Sequence, residues 1–174
     1  MEVSEAIRMK RAIRRFSARL IDEDTMMTII NSGRRAQSAK NRQPWRFIAI
    51  RERTILESLS TLGTYAGHLA GAGFGVAILT PDPADRWSIM FDAGQAAAYM
   101  QLTALAHGVG SCLATIYEPE KARALLGFPS EYHLNVMISF GYPVNEQELS
   151  TSPKAGGRHS MEDITHFDLW QKVS

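Results

Sequence analysis

The segment from Asp85 to Gly108 constrains this chain more than any other. It holds the longest helical pattern in the sequence, predicted to start at Asp85, run to about His107 and stop at Gly108, which takes a left-handed C-terminal turn at no steric cost. Met90, Ala93, Ala97, Met100, Ala104 and Ala106 place small or flexible apolar side chains on more than one face. A surface helix buries one stripe, whereas a helix apolar on several sides must be covered on several sides. Either the fold wraps around this helix as the core of a monomer, or a second copy of the chain packs against it. Gln95 and Gln101 break the apolar run from Ala93 to Ala106, so it is too polar to span a bilayer.

A chain of 174 residues is expected to form a single domain over residues 1–174. A domain of this size buries roughly two-thirds of its unfolded surface, so it needs neither disulfides nor metal to stay folded. Cys112 is the only cysteine, which excludes an internal disulfide and fits a reducing compartment. The start, Met1 to Glu5, lacks the apolar run of a signal peptide. The expectation is a soluble, cytoplasmic protein with no membrane partner. No internal repeat or low-complexity tract is visible.

The remaining pattern mixes helices with few strands. Ser4 is predicted to cap a short first helix, and Asp22 to open a second whose face carries Met26, Ile29, Ile30 and Gly33. Residues 34–45 read as a polar loop ending in Gln43-Pro44-Trp45, followed by a strand over Trp45–Ile50. Helical pieces follow at Thr54–Leu62 and Tyr65–Ala70, then a buried strand at Gly75–Thr80 stopped by Pro81. Beyond the long helix come strands at Ser111–Ile116 and Leu134–Phe140, with a helix from Pro119 to Gly127 between them. The tail from Asn145 to Gly157 reads as loop, and a short helix spans Met161–Phe167. Four strands among consecutive helices give an α+β fold, a central sheet flanked by helices.

Six cations fall between residues 8 and 19 with no acid among them: Arg8, Lys10, Arg11, Arg14, Arg15 and Arg19. The whole chain is nearly neutral, with 19 basic and 18 acidic residues, which argues against a nucleic-acid partner. A single phosphate group is a better-sized target, since Lys10, Arg11 and Arg14 can converge on one dianion through charge-assisted hydrogen bonds. A solvated basic helix end is the alternative. The second polar constellation, Ser38-Ala39-Lys40-Asn41-Arg42-Gln43-Pro44-Trp45, carries amide side chains with both donors and acceptors, which suit a planar heterocycle. Taken alone it is a polar loop before a strand.

In order along the chain, these segments resemble one family. Lys10-Arg11-Ala12-Ile13-Arg14-Arg15-Phe16, then Ser38 to Trp45 running into Arg46-Phe47-Ile48, is similar to the N-terminal signature of the nitroreductase family of flavin enzymes. Asp92-Ala93-Gly94-Gln95 with Ala104 to Ser111 resembles its long helix and following turn. Pro119 to Pro129, Ile138 to Pro143 and Gly157-Arg158 resemble its later segments, so the likeness covers nearly the whole chain. The resemblance implies a three-layer α+β fold with a mostly antiparallel sheet, in an intertwined homodimer that binds FMN at the subunit interface. It also implies ping-pong chemistry, in which NADH or NADPH gives up electrons and a small-molecule acceptor, such as a nitroaromatic or quinone, leaves with them. Carried over by position, Lys10, Arg11, Arg14 and Arg158 would hold the FMN phosphate and nearby ribityl oxygens. Ser38, Ala39 and Asn41, from the partner subunit, would meet the ring or ribityl chain. Ala114, Thr115, Ile116 and Tyr117 match the segment whose backbone N–H faces flavin N5. No catalytic side chain is required, because the flavin carries the chemistry.

This sequence departs from the family pattern at three positions. Ala12 and Ala39 stand where small hydroxyl residues are common, and Lys10 replaces the commoner, bidentate Arg. The stretch from Leu62 to Asp85 has no insertion that could form a lid. These departures keep a low-turnover flavin-binding or sensory dimer in view, as well as relatives specialised for dehalogenation, flavin fragmentation or dehydrogenation. Gly71-Ala72-Gly73-Phe74-Gly75 precedes a strand instead of following one, so it is no Rossmann loop. His159, Glu162, Asp163 and His166 make a poor metal pattern, and no metal is expected. Cys112 reads as a buried structural thiol. Trp87, Phe91 and Tyr117 read mainly as core residues, with lining of the flavin cavity as the alternative.

Overall fold

A computed structural model describes residues 1–151 and 157–170. Four strands, β1 (Arg46–Ile50), β2 (Phe74–Thr80), β3 (Gly110–Thr115) and β4 (His133–Gly141), form one open sheet in the order β1-β2-β4-β3. Every neighbouring pair in it is antiparallel. The five main helices are α1 (Val3–Met9), α2 (Glu23–Arg34), α3 (Arg53–Ser60), α4 (Ser88–Ala106) and α5 (Pro119–Leu126), with single turns α6 (Gln147–Ser150) and α7 (Met161–Ile164) near the end.

Strand alternation divides the core into two layers. Phe74, Val76, Ile78, Ile138 and Phe140 face α2 and α4, where they pack with Ile29, Trp45, Ala97 and Met100. Ala77, Leu79, Ala114, Leu134 and Met137 face α3 and α5, packing with Leu56, Leu59 and Ala122. All seven residues of β2 are buried, as a central strand covered on both faces must be. The result is the three-layer α+β arrangement, helices on both sides of an antiparallel sheet.

Several boundaries differ from the sequence expectation. α4 begins at Ser88, because Pro83 first closes a separate 3₁₀ turn at Pro83–Asp85 that Asp82 caps through the Ala84 N–H. Its last turn ends as predicted, with Gly108 at φ 72°. Ser4 lies inside α1, and the capping position belongs to Glu2. Asp22 does cap α2, accepting from the Thr25 N–H. The predicted loop after Asn145 holds the one-turn α6, and part of that loop, 152–156, lies outside the described residues. α7 stops at Ile164, short of Phe167, after a Ser160/Asp163 capping box. Trp87, Phe91 and Tyr117 are not core: they are 81%, 65% and 60% exposed.

Candidate functional site

The basic run reaches the sheet through backbone pairing. Ala12 forms a parallel bridge with Ser111, Phe16 an antiparallel one with Pro143, and the Ile13 N–H donates to the Ser111 carbonyl at 2.9 Å. Ile13 is fully buried against Gly110, where a Cβ would come within 2.8 Å of the Ile13 Cβ. That close approach is why the position suits glycine. The segment is thereby held beside edge strand β3, with Lys10, Arg11 and Arg14 carried along it.

Those cations are incompletely used. Lys10 Nζ donates to the Arg11 carbonyl at 3.0 Å. Arg11 Nε and Nη2 are buried and, among the described residues, have no hydrogen-bond partner. Buried guanidinium donors without acceptors are costly, and an anion bound there would satisfy them. Burial pushes the Lys10 ammonium below the ordinary lysine range; Cys112 opposes the shift and Arg14 adds to it. Burial pushes the Cys112 thiol up, opposed by Arg14 and Lys10, so the cysteine is the inert buried thiol the sequence suggested. Arg14 itself is exposed. Arg158 lies on the exposed C-terminal segment and donates from Nη1 to the adjacent Gly157 carbonyl at 3.1 Å. Among the described residues, no hydrogen bond or ion pair joins it to Lys10, Arg11 or Arg14.

The outer edge of β3 forms the second part. The Ser111 carbonyl turns outward to Ile13, so by alternation the backbone groups of Leu113 and Thr115 also point away from β4. In the predicted Ala114–Tyr117 segment, the Ile116 N–H is bound to the Asn135 carbonyl at 3.0 Å and the Tyr117 N–H to the Leu62 carbonyl at 2.8 Å. Ala114 and Ile116 are buried, while Thr115 is exposed. Thr115 is therefore the residue of this segment whose N–H faces the open edge.

Residues 62–68 line the same edge, a contribution the sequence reading missed. A Cβ on Gly63 would run into the Thr115 carbonyl. His68 is buried, with Nδ1 2.8 Å from Ser139 Oγ, which in turn donates to the Cys112 carbonyl at 3.3 Å. Its Nε2 is buried without a partner of good geometry among the described residues. Burial pushes the imidazole below the ordinary histidine range; the Leu113 backbone opposes this and Arg14 reinforces it. A lone histidine between helical patterns gave no signal of this place in the sequence.

The loop with Ser38, Ala39 and Asn41 is built differently. A 3₁₀ turn at Ala39–Asn41 carries Lys40 at φ 54° and Asn41 at φ 53°, and Gln43 follows at φ 48°. Left-handed backbone costs about 1–2 kcal/mol at a non-glycine residue, so three in four positions need strong local support. Ser38 Oγ accepts from the Gln43 N–H at 2.9 Å, and Gln43 Nε2 donates to Asn41 Oδ1 at 3.1 Å. The Ala39 N–H donates to both carboxylate oxygens of Asp92 on α4, at 3.2 Å each. Asp92, quoted in the sequence only as part of a motif, is thus the loop's anchor.

The two constellations do not meet within one chain. The loop leads into β1 at the level Phe47–Ile78–Val136–Thr115, whereas the cations adjoin β3 at Ser111, level with Phe140 and Phe74. β1 and β3 are opposite edges of the sheet, three strand spacings or about 14 Å apart. Four residues along the strands add about another 14 Å, so the diagonal is about 20 Å. Between them Trp87, at the cap of α4, and Met90, Phe91 and Tyr99 on α4 are exposed, and a cavity of about 300 Å³ opens between Met90, Gly94, Ala98, Leu113 and Val136. Among the described residues no cluster suited to a metal ion occurs, and no helix is long and apolar enough to cross a membrane.

A sheet with these helices, a cation group beside one edge strand and a polar loop at the other define a nitroreductase fold, and the comparisons agree. The nitroreductase family profile matches residues 7–66 and 60–142, and the chain belongs to that family. An Archaeoglobus fulgidus protein described as an NADH dehydrogenase/NAD(P)H nitroreductase is 31% identical over 97% of this chain and 99% of its own. Among solved structures, an FMN-dependent nitroreductase from Clostridium difficile superposes with a TM-score of 0.84 at 24% identity, over 97% of this chain and 100% of the other. An NADPH:FMN oxidoreductase from Vibrio harveyi, complexed with NAD+, gives 0.83 at 18% identity, over 98% of this chain and 79% of the other. Both structural likenesses speak for the fold.

Proposed function

We propose that the chain is a single-domain, FMN-dependent NAD(P)H oxidoreductase that works as a cytoplasmic homodimer and reduces small nitroaromatic, quinone or related acceptors by a ping-pong mechanism. The observation that carries this reading is the pair of buried Arg11 donors without a partner among the described residues, in the same segment as Lys10 and Arg14. A phosphate monoester fits that set, since it brings two negative charges and several acceptor oxygens. When bound, FMN would supply the hydride chemistry, accepting electrons from NAD(P)H and passing them on.

The residues of the chain would hold and orient the cofactor. Lys10, Arg11 and Arg14 would take the phosphate, with Arg158 closing over it from the C-terminal segment. The outward N–H of Thr115 would hold the N5 edge of the ring, and Ala114 and Ile116, buried on either side, would keep that strand rigid. Ser38, Ala39 and Asn41 would come from a second copy. The diagonal separation of about 20 Å within one chain supports this sharing, as do the exposed aromatics and small residues along α4. A positive group near the ring would stabilise its reduced, anionic form. The relatives' names support the donor: one is an NAD(P)H nitroreductase and another an NADPH:FMN oxidoreductase.

The test is a spectrum and a turnover assay. Purified protein loaded with FMN should be yellow, and anaerobic NADH or NADPH should bleach it. A protein that stays colourless after incubation with FMN refutes the cofactor assignment. Ala12 and Ala39, which lack the family's common hydroxyls, favour a second reading, a flavin-binding dimer with little turnover. Brisk NAD(P)H oxidation with a quinone acceptor eliminates it.

A further inference from the structure

We infer that Asp92 is the positioning residue that builds the Ser38–Gln43 loop into half of the cofactor site, without touching the cofactor. This rests on the proposed FMN reading. Asp92 is 2% exposed on α4, and its carboxylate oxygens share one donor, the Ala39 N–H. Among the described ion pairs none includes it. A carboxylate buried with one N–H and no cation is an expensive arrangement, and apolar residues would serve packing alone better. The adjoining sequence makes a purpose visible. Lys40, Asn41 and Gln43 all hold left-handed backbone. The other side-chain bonds of the turn, Ser38 to Gln43, Asn41 to Gln43 and a long Arg46 bond to the Gln43 carbonyl, are local and exposed. Among the described residues, the Asp92 bond is the one hydrogen bond that ties this turn to a core helix, across 53 residues of sequence. By fixing the direction of the Ala39 N–H, it fixes where Ser38 and Asn41 stand.

The two roles Asp92 could have separate by chemistry. A residue acting through geometry needs an acceptor oxygen, which Asp92→Asn keeps. A residue acting through charge is lost equally in Asp92→Asn and Asp92→Ala. Asp92→Ala should weaken FMN binding by up to about tenfold, the upper end for loss of one hydrogen bond, while Asp92→Asn, which keeps the acceptor, stays close to wild type. Amide hydrogen exchange of unliganded protein should show faster exchange across Ala39–Gln43 in Asp92→Ala and near wild-type exchange in Asp92→Asn. FMN affinity is read by fluorescence quenching, and far-UV circular dichroism confirms that each variant is folded. Should Asp92→Ala fail to fold, Ala39→Pro removes the donor at a position where proline suits a helical first turn, and it should give the same loosening and weaker binding. Unchanged exchange in the loop overturns the inference, as does wild-type affinity in a variant whose loop has loosened. Equal losses in Asp92→Asn and Asp92→Ala also overturn it. If wild-type protein takes up no FMN, the functional reading fails and takes the cofactor role of Asp92 with it.

Discussion

Arg11 reaches β3 with buried guanidinium donors that have no partner among the described residues, whereas the Ser38–Gln43 loop is held by its own hydrogen bonds and by Asp92, and keeps three left-handed residues. The first region is incomplete without a ligand. The second is finished before any ligand arrives. Charge can be placed loosely, because Coulomb attraction is long-ranged and an arginine fork adjusts on contact. Hydrogen bonds to a planar ring tolerate little error in direction, so the residues that make them need a rigid base.

The largest expected effect strikes the loose half. Arg14→Ala or Arg158→Ala should each weaken FMN binding by about tenfold to a hundredfold, the range for losing a hydrogen bond to a charged group. Equilibrium titration checks this, and unchanged affinity in both would dissolve the clamp. A mixed dimer sharpens the comparison further. One subunit carries Arg14→Ala and the other carries Ser38→Ala with Asn41→Ala. If the two halves come from different subunits, one site collects both lesions and the other is intact, so half of the flavin binds with wild-type affinity. If both halves come from one subunit, every site is weakened and no wild-type fraction remains.

Smaller effects concern the β3 edge and the residues 62–68 packed on it. Gly63→Ala should cost about 1–3 kcal/mol of stability, because its Cβ meets the Thr115 carbonyl and backbone must shift. Gly67→Ala, with nothing within 4 Å, is the control. Thermal melts compare them, and equal melting temperatures would remove the close packing of residues 62–68 on β3. His68 gives a pH dependence. Its folded pKa is depressed, so the unfolded chain takes up the proton first as pH falls through the ordinary histidine range. Stability should therefore decline below that range, and His68→Asn should flatten the decline in denaturant melts across pH. The smallest effect is Arg19→Ala, which should leave FMN affinity unchanged. Arg19 lies 3.8 Å over the Tyr142 ring, a surface cation–π contact that accounts for its place.

The sequence made the layers and the cation run legible, for identifiable reasons. β2 was readable because an apolar run bounded by Pro81 has few other destinations, and α5 because Pro119 and Gly127 punctuate it at both ends, Gly127 at φ 69°. The start of α4 was misplaced by three residues because Asp85 resembles a cap until Pro83 is seen to close its own turn. Trp87, Phe91 and Tyr117 read mainly as core in the sequence because large aromatic side chains contribute much of a core's buried area. Their exposure depends on which side of α4 and β3 the sheet leaves open, which no local pattern records.

By itself, the sequence determined which residues carry charge, which stretches must be buried and that Cys112 has no partner, since these follow from side-chain chemistry and short-range periodicity. Only the tertiary structure decided that Arg11 keeps buried donors unpaired among the described residues, that Thr115 turns its N–H away from β4, and that His68 and Asp92 stand behind the two halves. Each of those depends on partners 53 to 99 positions away in the chain — Ala39 and Asp92, Ala12 and Ser111 — or on which strand forms an edge. Burial and hydrogen-bond satisfaction belong to the packed chain as a whole, and the spacing of residues along it cannot express them.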